Sequence, residues 1–88
     1  MDIIEIFSKE NCQLCDEAKN VIKKVKMSIE FDFIEIDITK DKDIFEKYKY
    51  DIPVIHLNGV IAFKHRLNEV DLKNKILSRK NFILSKNK

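Results

Sequence analysis

The chain changes from an apolar strand pattern to a helical pattern near residue 12, and its only two cysteines, Cys12 and Cys15, lie at that change. If a helix begins at about Cys12, a rise of ~1.5 Å and a turn of ~100° per residue place the two Cα atoms roughly 5 Å apart. That separation suits a disulfide. Free N–H groups at a helix start stabilise a thiolate, so the pKa of Cys12 should fall below the ~8.5 of free cysteine. The spacing predicts a reactive dithiol in which Cys12 attacks and Cys15 resolves.

Length and composition favour one globular domain. The chain has 88 residues, 44% hydrophobic and 36% charged, with one Gly and one Pro, which excludes disordered and low-complexity classes. We expect a single domain over residues 1–88, with a C-terminal tail from about residue 81. A formal net charge of +2 is too small to indicate a nucleic-acid partner. We expect a monomer.

The amino-terminal residues predict the compartment. Residues 1–7 lack a basic leader, and no stretch approaches the roughly 20 apolar residues of a membrane span. We therefore expect a cytoplasmic protein with no membrane partner. Paired cysteines are rarely structural in a reducing cytosol, which favours a catalytic or a metal-binding pair.

Apolar spacing predicts the secondary structure of the first half of the chain. Residues 2–7 form a short apolar run typical of a strand covered on both faces. The next apolar positions keep a helical period to about Met27, with lysines on the opposite side. A second β-rich run predicts another buried strand over 31–37. Thr39 is a candidate cap for a short helix that ends near Tyr48.

The second half predicts a hairpin and a last helix. Asn58-Gly59 lies between the apolar runs 54–57 and 60–63, which is a strong hairpin signal. Asn68 is a candidate N-cap for the last helix. Phe82-Ile83-Leu84 either extends this helix or docks as a separate segment. The predicted fold is α/β and thioredoxin-like, in the order β-α-β-α-β-β-α, with a four-stranded mixed sheet flanked by helices.

Two motifs at matching places resemble a glutaredoxin: Phe7-Ser8-Lys9-x-x-Cys12-x-x-Cys15 after strand one, and Ile52-Pro53 before strand three. The chain is more similar to short glutaredoxin-like proteins with Cys-x-Leu-Cys-Asp-Glu-Ala, here Cys12 to Ala18, and a late Arg-Leu element, here Arg66-Leu67. The resemblance covers about residues 2–77. It implies an enzyme, a small thiol–disulfide oxidoreductase, with no bound cofactor and with glutathione as a candidate co-substrate.

The resemblance also assigns roles around the dithiol. It implies a cis Ile52-Pro53 bond that faces the cysteines and leaves the Ile52 backbone free to pair with an extended substrate, although base rates alone favour trans. It implies that Lys9 adds positive potential near Cys12. Its expected partners are protein disulfides or glutathione mixed disulfides, and a reductant that is glutathione or a thioredoxin-reductase-like enzyme.

The sequence departs from typical glutaredoxins at two places. Gln13-Leu14 replaces Pro-Tyr between the cysteines, and the Gly-Gly pair that receives glutathione is absent from residues 63–68. His65 and Arg66 either hold a substrate carboxylate there or belong to a solvated loop.

One alternative is a soft-metal module that binds copper, zinc or an iron–sulfur cluster through Cys12 and Cys15. For zinc, His56 and His65 would join the two cysteines. Unless it is a ligand, His56 is expected to pack within a strand.

Overall fold

The computed structural model describes the backbone of residues 1–86 and the side chains of residues 1–78. The described elements follow the predicted order, with one additional turn of 3₁₀ helix at Ile38–Lys40. They are β1 (Ile3–Ser8), α1 (Gln13–Lys26), β2 (Asp32–Asp37), α2 (Lys42–Tyr48), β3 (Val54–Leu57), β4 (Val60–Lys64) and α3 (Glu69–Lys86). The predicted α/β fold is confirmed.

The four strands form one mixed sheet in the order β2-β1-β3-β4. β1 pairs in parallel with β2, while β1 with β3 and β3 with β4 are antiparallel. The β3–β4 register shifts between Ile55 and His56, which pair with Phe63 and Ile61, so Ala62 is the extra residue of a bulge. β1 is central, and the loop that carries the cysteines leaves its carboxyl end.

One face of the sheet is covered by α1 and α3. Their apolar positions follow the helical period, so a single stripe on each helix reaches the strands. The largest fully buried side chains of this core are Phe31, Ile4, Ile6, Ile22, Ile55, Leu72, Ile76 and Val25. This layer fixes α1, and therefore the cysteines at its start, against β1.

The other face is covered by the short helix α2 at one end only. Phe7, Ile38, Tyr48 and Val54 form the buried cluster there. Further along the same face, Ile34 of β2 is 45% exposed. The expectation of a buried second strand was wrong, because β2 lies at the sheet edge and α2 is too short to reach its first half.

Local hydrogen bonds explain where the shorter elements begin. The predicted cap Thr39 is wrong: its N–H and its hydroxyl both donate to Asp37 Oδ1, at 2.9 and 2.7 Å, which forms the 3₁₀ turn. Asp41 caps α2 instead, because its Oδ1 accepts from the N–H groups of Asp43 and Ile44 at 2.9 and 3.1 Å. The cap of α3 was predicted correctly: Asn68 Oδ1 accepts from the Asp71 N–H at 2.8 Å.

The predicted hairpin is confirmed, and its turn has the expected backbone. Asn58 and Gly59 have φ of 53° and 82°. Both values are positive, as a two-residue turn with the twist of the adjoining strands requires. The Asn58 side chain also accepts the Ile3 N–H at 2.8 Å, which ties the turn to the start of β1.

The chain continues as helix beyond the family resemblance. α3 runs to Lys86, so residues 82–84 extend the helix rather than forming a separate segment. The last two residues of the expected tail lie outside the described residues. Within the described part of the chain, none of the helices combines the length and the apolar character needed to cross a bilayer.

Candidate active site

Cys12 and Cys15 form a disulfide at the amino-terminal end of α1. Their Cα atoms are 5.2 Å apart, as the helical spacing predicts. Cys12 is the N-cap, with extended backbone at φ −117° and ψ 102°, and its Sγ accepts the Cys15 N–H at 3.2 Å. The sulfur that would carry negative charge in the reduced protein thus lies against an otherwise unpaired N–H of the first helical turn.

The two sulfur-bearing residues differ in their access to solvent. Cys15 is 0% exposed and belongs to the buried side of α1, whereas Cys12 is partly exposed. Before them, Asn11 takes a left-handed conformation with φ 58°, which asparagine tolerates better than most residues. A substrate disulfide can approach Cys12 from solvent, while Cys15 is reached only through Cys12.

Pro53 lies at the same end of the sheet as the dithiol. Val54, the next residue, pairs with Phe7, which is one residue from the end of β1. The Ile52-Pro53 peptide bond is cis. The Ile52 N–H already donates to the Tyr48 carbonyl at 3.2 Å, so the expectation of a fully free Ile52 backbone needs correction. Of the two Ile52 backbone groups, the carbonyl oxygen alone has no hydrogen-bond partner among the described residues.

A polar and aromatic cluster lies behind this end of the sheet. The rings of Tyr48 and His56 both contact Phe7, with centroids 5.0 and 4.5 Å away. The Tyr48 hydroxyl and His56 Nε2 are 3.1 Å apart, and His56 Nδ1 lies 4.0 Å from a Glu5 carboxylate oxygen. Burial lowers the pKa of His56 below its usual value, although Glu5 acts in the opposite direction. His56 is therefore a packed histidine whose burial favours the neutral form.

The end of β4 and the residue after it contact the Pro53 loop. The His65 N–H donates to the Pro53 carbonyl at 2.8 Å, and His65 has φ 68°, a left-handed conformation that is uncommon outside glycine and asparagine. Asp51 forms an ion pair with Lys64 at 3.3 Å. These contacts hold the residues on both sides of Pro53 to the end of β4.

The Arg-Leu element lies beside the start of α1. His65, Arg66 and Leu67 line a small pocket of about 50 Å³, whose other wall comes from α1. The α1 residues in that wall are Leu14, Glu17 and Ala18. The structure thus brings the predicted Arg66-Leu67 element next to the helix that carries the dithiol.

Lys9 is exposed and lies in the loop between β1 and Cys12. It lines a surface depression together with Lys19 and four carboxylate residues, namely Glu10, Asp16, Glu35 and Asp37. Lys19 is paired there with Glu35 at 3.3 Å. Carboxylates outnumber cations in this depression, so they would oppose the positive potential that was expected from Lys9 near Cys12.

The sequence matches a known protein family. A family model described as glutaredoxin-like domain (DUF836) matches residues 3–77, which is most of the chain. The chain belongs to this glutaredoxin-like family. A curated relative agrees: the "Glutaredoxin-like protein YDR286C homolog" of Dictyostelium discoideum is 36% identical over 75 residues, a match that covers 75% of this chain and 67% of the relative.

Solved structures similar to this glutaredoxin-like domain have the thioredoxin fold. The target protein XcR50 from X. campestris superposes with a TM-score of 0.73 at 16% identity, covering 85% of this chain and 96% of that one. Reduced desulfothioredoxin from Desulfovibrio vulgaris Hildenborough gives 0.68 at 19% identity, with 88% and 80% coverage. At identities this low, the superpositions establish a shared fold and no more. The family assignment rests on the sequence matches.

The metal-binding alternative finds no support in the glutaredoxin-like domain. Residues 1–78 contain no group of three or more His, Cys, Asp or Glu side chains that could hold a metal ion. His56 contacts Phe7 and Tyr48 instead of joining the cysteines. A two-sulfur site alone falls short of the four ligands of structural zinc.

Two residues near the site were not singled out from the sequence. The sequence places Tyr48 only at the end of a short helix and assigns Asp51 no role. A tyrosine in the last helical turn before Ile-Pro only weakly indicates a role at the site. Its partner His56 is identified only when β3 is known to lie beside β1. The role of Asp51 is equally hard to predict, because its partner Lys64 lies thirteen residues away in the sequence.

Proposed function

We propose that this glutaredoxin-like domain is a thiol–disulfide oxidoreductase that acts through Cys12 and Cys15. The observation that carries the proposal is the asymmetry of the pair, with a partly exposed N-cap Cys12 whose sulfur accepts a helix N–H and a fully buried Cys15. This asymmetry suits one attacking thiolate and one resolving thiol.

The reaction follows from that arrangement. The Cys12 thiolate attacks one sulfur of a substrate disulfide, the substrate S–S bond breaks, and the other substrate sulfur leaves as a thiolate that takes up a proton. The Cys15 thiol then loses its proton and attacks Cys12 Sγ, which releases the second substrate thiol and forms the Cys12–Cys15 disulfide. Two electrons pass from the dithiol to the substrate, and an external thiol restores the dithiol.

We propose protein disulfides or glutathione mixed disulfides as substrates, in the cytoplasm, with glutathione or a thioredoxin-reductase-like enzyme as the reductant. The open Ile52 carbonyl would accept an N–H from an extended substrate. Arg66 and the adjoining pocket, which lies beside the start of α1, would receive a substrate side chain or carboxylate. Lys9 would contribute to attracting an anionic substrate.

The test is a redox titration of the pre-reduced protein against glutathione buffers, combined with two variants. Cys15→Ser should accumulate a mixed disulfide at Cys12, visible as a mass increase, whereas Cys12→Ser should show no exchange, because only the first thiol attacks and only the second resolves. Full turnover by Cys15→Ser would exclude the resolving role. A wild-type dithiol that stays reduced in every buffer and exchanges with no disulfide would refute the proposed activity.

A further inference from the structure

Tyr48 contacts residues that support both site loops. Its ring packs on Phe7, whose chain continues into the loop that carries Cys12. Its carbonyl oxygen accepts the N–H groups of Asp51 and Ile52, at 2.8 and 3.2 Å. The same side chain is buried and ends in a hydroxyl that meets His56.

The hydroxyl contact determines how firmly Tyr48 is held. His56 Nδ1 faces the Glu5 carboxylate at 4.0 Å, which favours the neutral tautomer with its proton on Nδ1; in that tautomer Nε2, 3.1 Å from the Tyr48 hydroxyl, is the acceptor. His56 is itself fixed, because its ring packs on Phe7 and its side chain is only 13% exposed. Tyr48, His56 and Phe7 therefore form one unit that spans α2, β3 and β1.

We infer that Tyr48 and His56 are positioning residues for disulfide exchange: their hydrogen bond fixes the Ile52 carbonyl relative to Cys12 for an extended peptide substrate. The inference rests on the proposed function and adds a requirement for a substrate with a peptide backbone. A small disulfide without N–H groups has no use for the Ile52 carbonyl, so its exchange should not depend on this hydrogen bond.

The same contact makes positioning dependent on pH. When His56 is protonated, Nε2 becomes a donor, and the buried Tyr48 hydroxyl loses the acceptor of its own proton. The charged groups that act on His56 are Glu5 of β1, which favours the protonated form, and Lys47 of α2, which opposes it. Its cross-strand neighbour on β4 is the uncharged Ile61. Acid should therefore weaken the placement of Ile52 as His56 takes up its proton.

The experiment compares two disulfides that share 2-mercaptoethanol as the leaving thiol, in single turnovers of the pre-reduced protein. One is a linear peptide whose central cysteine carries 2-mercaptoethanol, and the other is bis(2-hydroxyethyl) disulfide. Tyr48→Phe keeps the ring and the backbone carbonyl but removes the hydroxyl. We expect it to slow the peptide reaction roughly threefold to tenfold, the range for one lost hydrogen bond, and to leave the small disulfide within about twofold.

The matched control is Tyr50→Phe, which removes the same hydroxyl from a tyrosine two residues away that is 85% exposed. Both of its rate constants should equal those of the wild type. Equal slowing of the two substrates by Tyr48→Phe would show general destabilisation, and no slowing of either would show that the hydroxyl is dispensable. Each of these results overturns the inference while leaving the oxidoreductase proposal intact.

A second variant tests the role of His56. His56→Gln keeps an acceptor for the Tyr48 hydroxyl but cannot titrate, so it should retain peptide exchange near neutral pH. In the wild type, the ratio of the peptide rate to the small-disulfide rate should fall as the pH is lowered below about 6.5, the ordinary histidine value. Both rates depend equally on the ionised fraction of Cys12, so their ratio does not change with that ionisation. In His56→Gln the ratio should be independent of pH. A ratio that falls equally in both proteins would overturn the role of His56, and a wild-type protein inactive on both substrates would overturn both proposals.

Discussion

The two faces of the sheet carry different types of residue. The face under α1 and α3 has an apolar centre with fully buried isoleucines, and Glu35 at its β2 edge pairs with Lys19 of α1. The face under α2 combines an aromatic cluster with His56 and Glu5, and it leaves Ile34 and Ile61 nearly half exposed. One face contributes most of the buried apolar area, while the other holds groups that can change their hydrogen bonds and charge.

This difference bears on the candidate site because the dithiol draws on both faces. Cys15 points into the layer under α1, whereas the Pro53 loop is held by Tyr48 on the α2 side. A rigid layer suits the cysteines, whose separation must be maintained through each redox cycle. Of the residues that we propose to contact the substrate, Ile52 lies on the less completely covered side.

The largest expected effect is a cavity in the apolar layer. Ile22→Ala should lower the free energy of unfolding by about 2–5 kcal/mol, because the fully buried side chain leaves a void under α1. Urea denaturation followed by circular dichroism measures the change. Ile44→Ala is the matched control on α2, where the side chain is only partly buried, and its cost should be smaller. Equal costs would contradict the contrast between the two faces.

A smaller effect is expected from the cap of α2. Asp41→Ala should lower the free energy of unfolding by about 1 kcal/mol, because two N–H groups at the helix start lose their acceptor. Asp41→Asn keeps a side-chain oxygen and should retain most of the stability. If the two variants are equally destabilised, the charge of Asp41 matters more than its hydrogen bonds.

The pH dependence of stability reports on His56. Burial lowers its pKa in the folded protein, so the unfolded chain binds more protons just below the ordinary value of about 6.5. Stability should therefore fall as the pH drops from about 6.5 towards the lower folded-state pKa. Subtracting the profile of His56→Gln isolates this part from the carboxylates, and His65→Gln, at an exposed position, is the control. A difference profile that is flat below pH 6.5 would remove His56 as the cause.

The smallest effect is expected at the uncovered part of the α2 face. Ile34→Thr keeps a β-branched side chain on the edge strand and replaces an apolar surface that is already exposed. The free energy of unfolding should change by no more than about 0.5 kcal/mol. A loss comparable to that of Ile22→Ala, together with a dependence on protein concentration, would show that a second copy covers this face in solution.

Local chemistry allowed much of the structure to be predicted. The helix that starts at Cys12, the Asn58-Gly59 turn and the Asn68 cap depend on residues a few positions apart, so their spacing in the sequence is their spacing in space. The prediction of Thr39 as the cap of α2 was wrong, although the observed cap Asp41 is only two residues away. Asp37 accepts the Thr39 hydroxyl, and two nearby acids compete for the role.

The sequence by itself therefore determined the order of the elements, the hairpin and the place of the dithiol at a helix start. Only the tertiary structure decided that β2 is an exposed edge and that Tyr48 and His56 meet behind Phe7. Neither residue's side chain selects its partner locally. The contact exists because β1 and β3 are antiparallel neighbours and α2 packs across them, an arrangement that arises from the whole core.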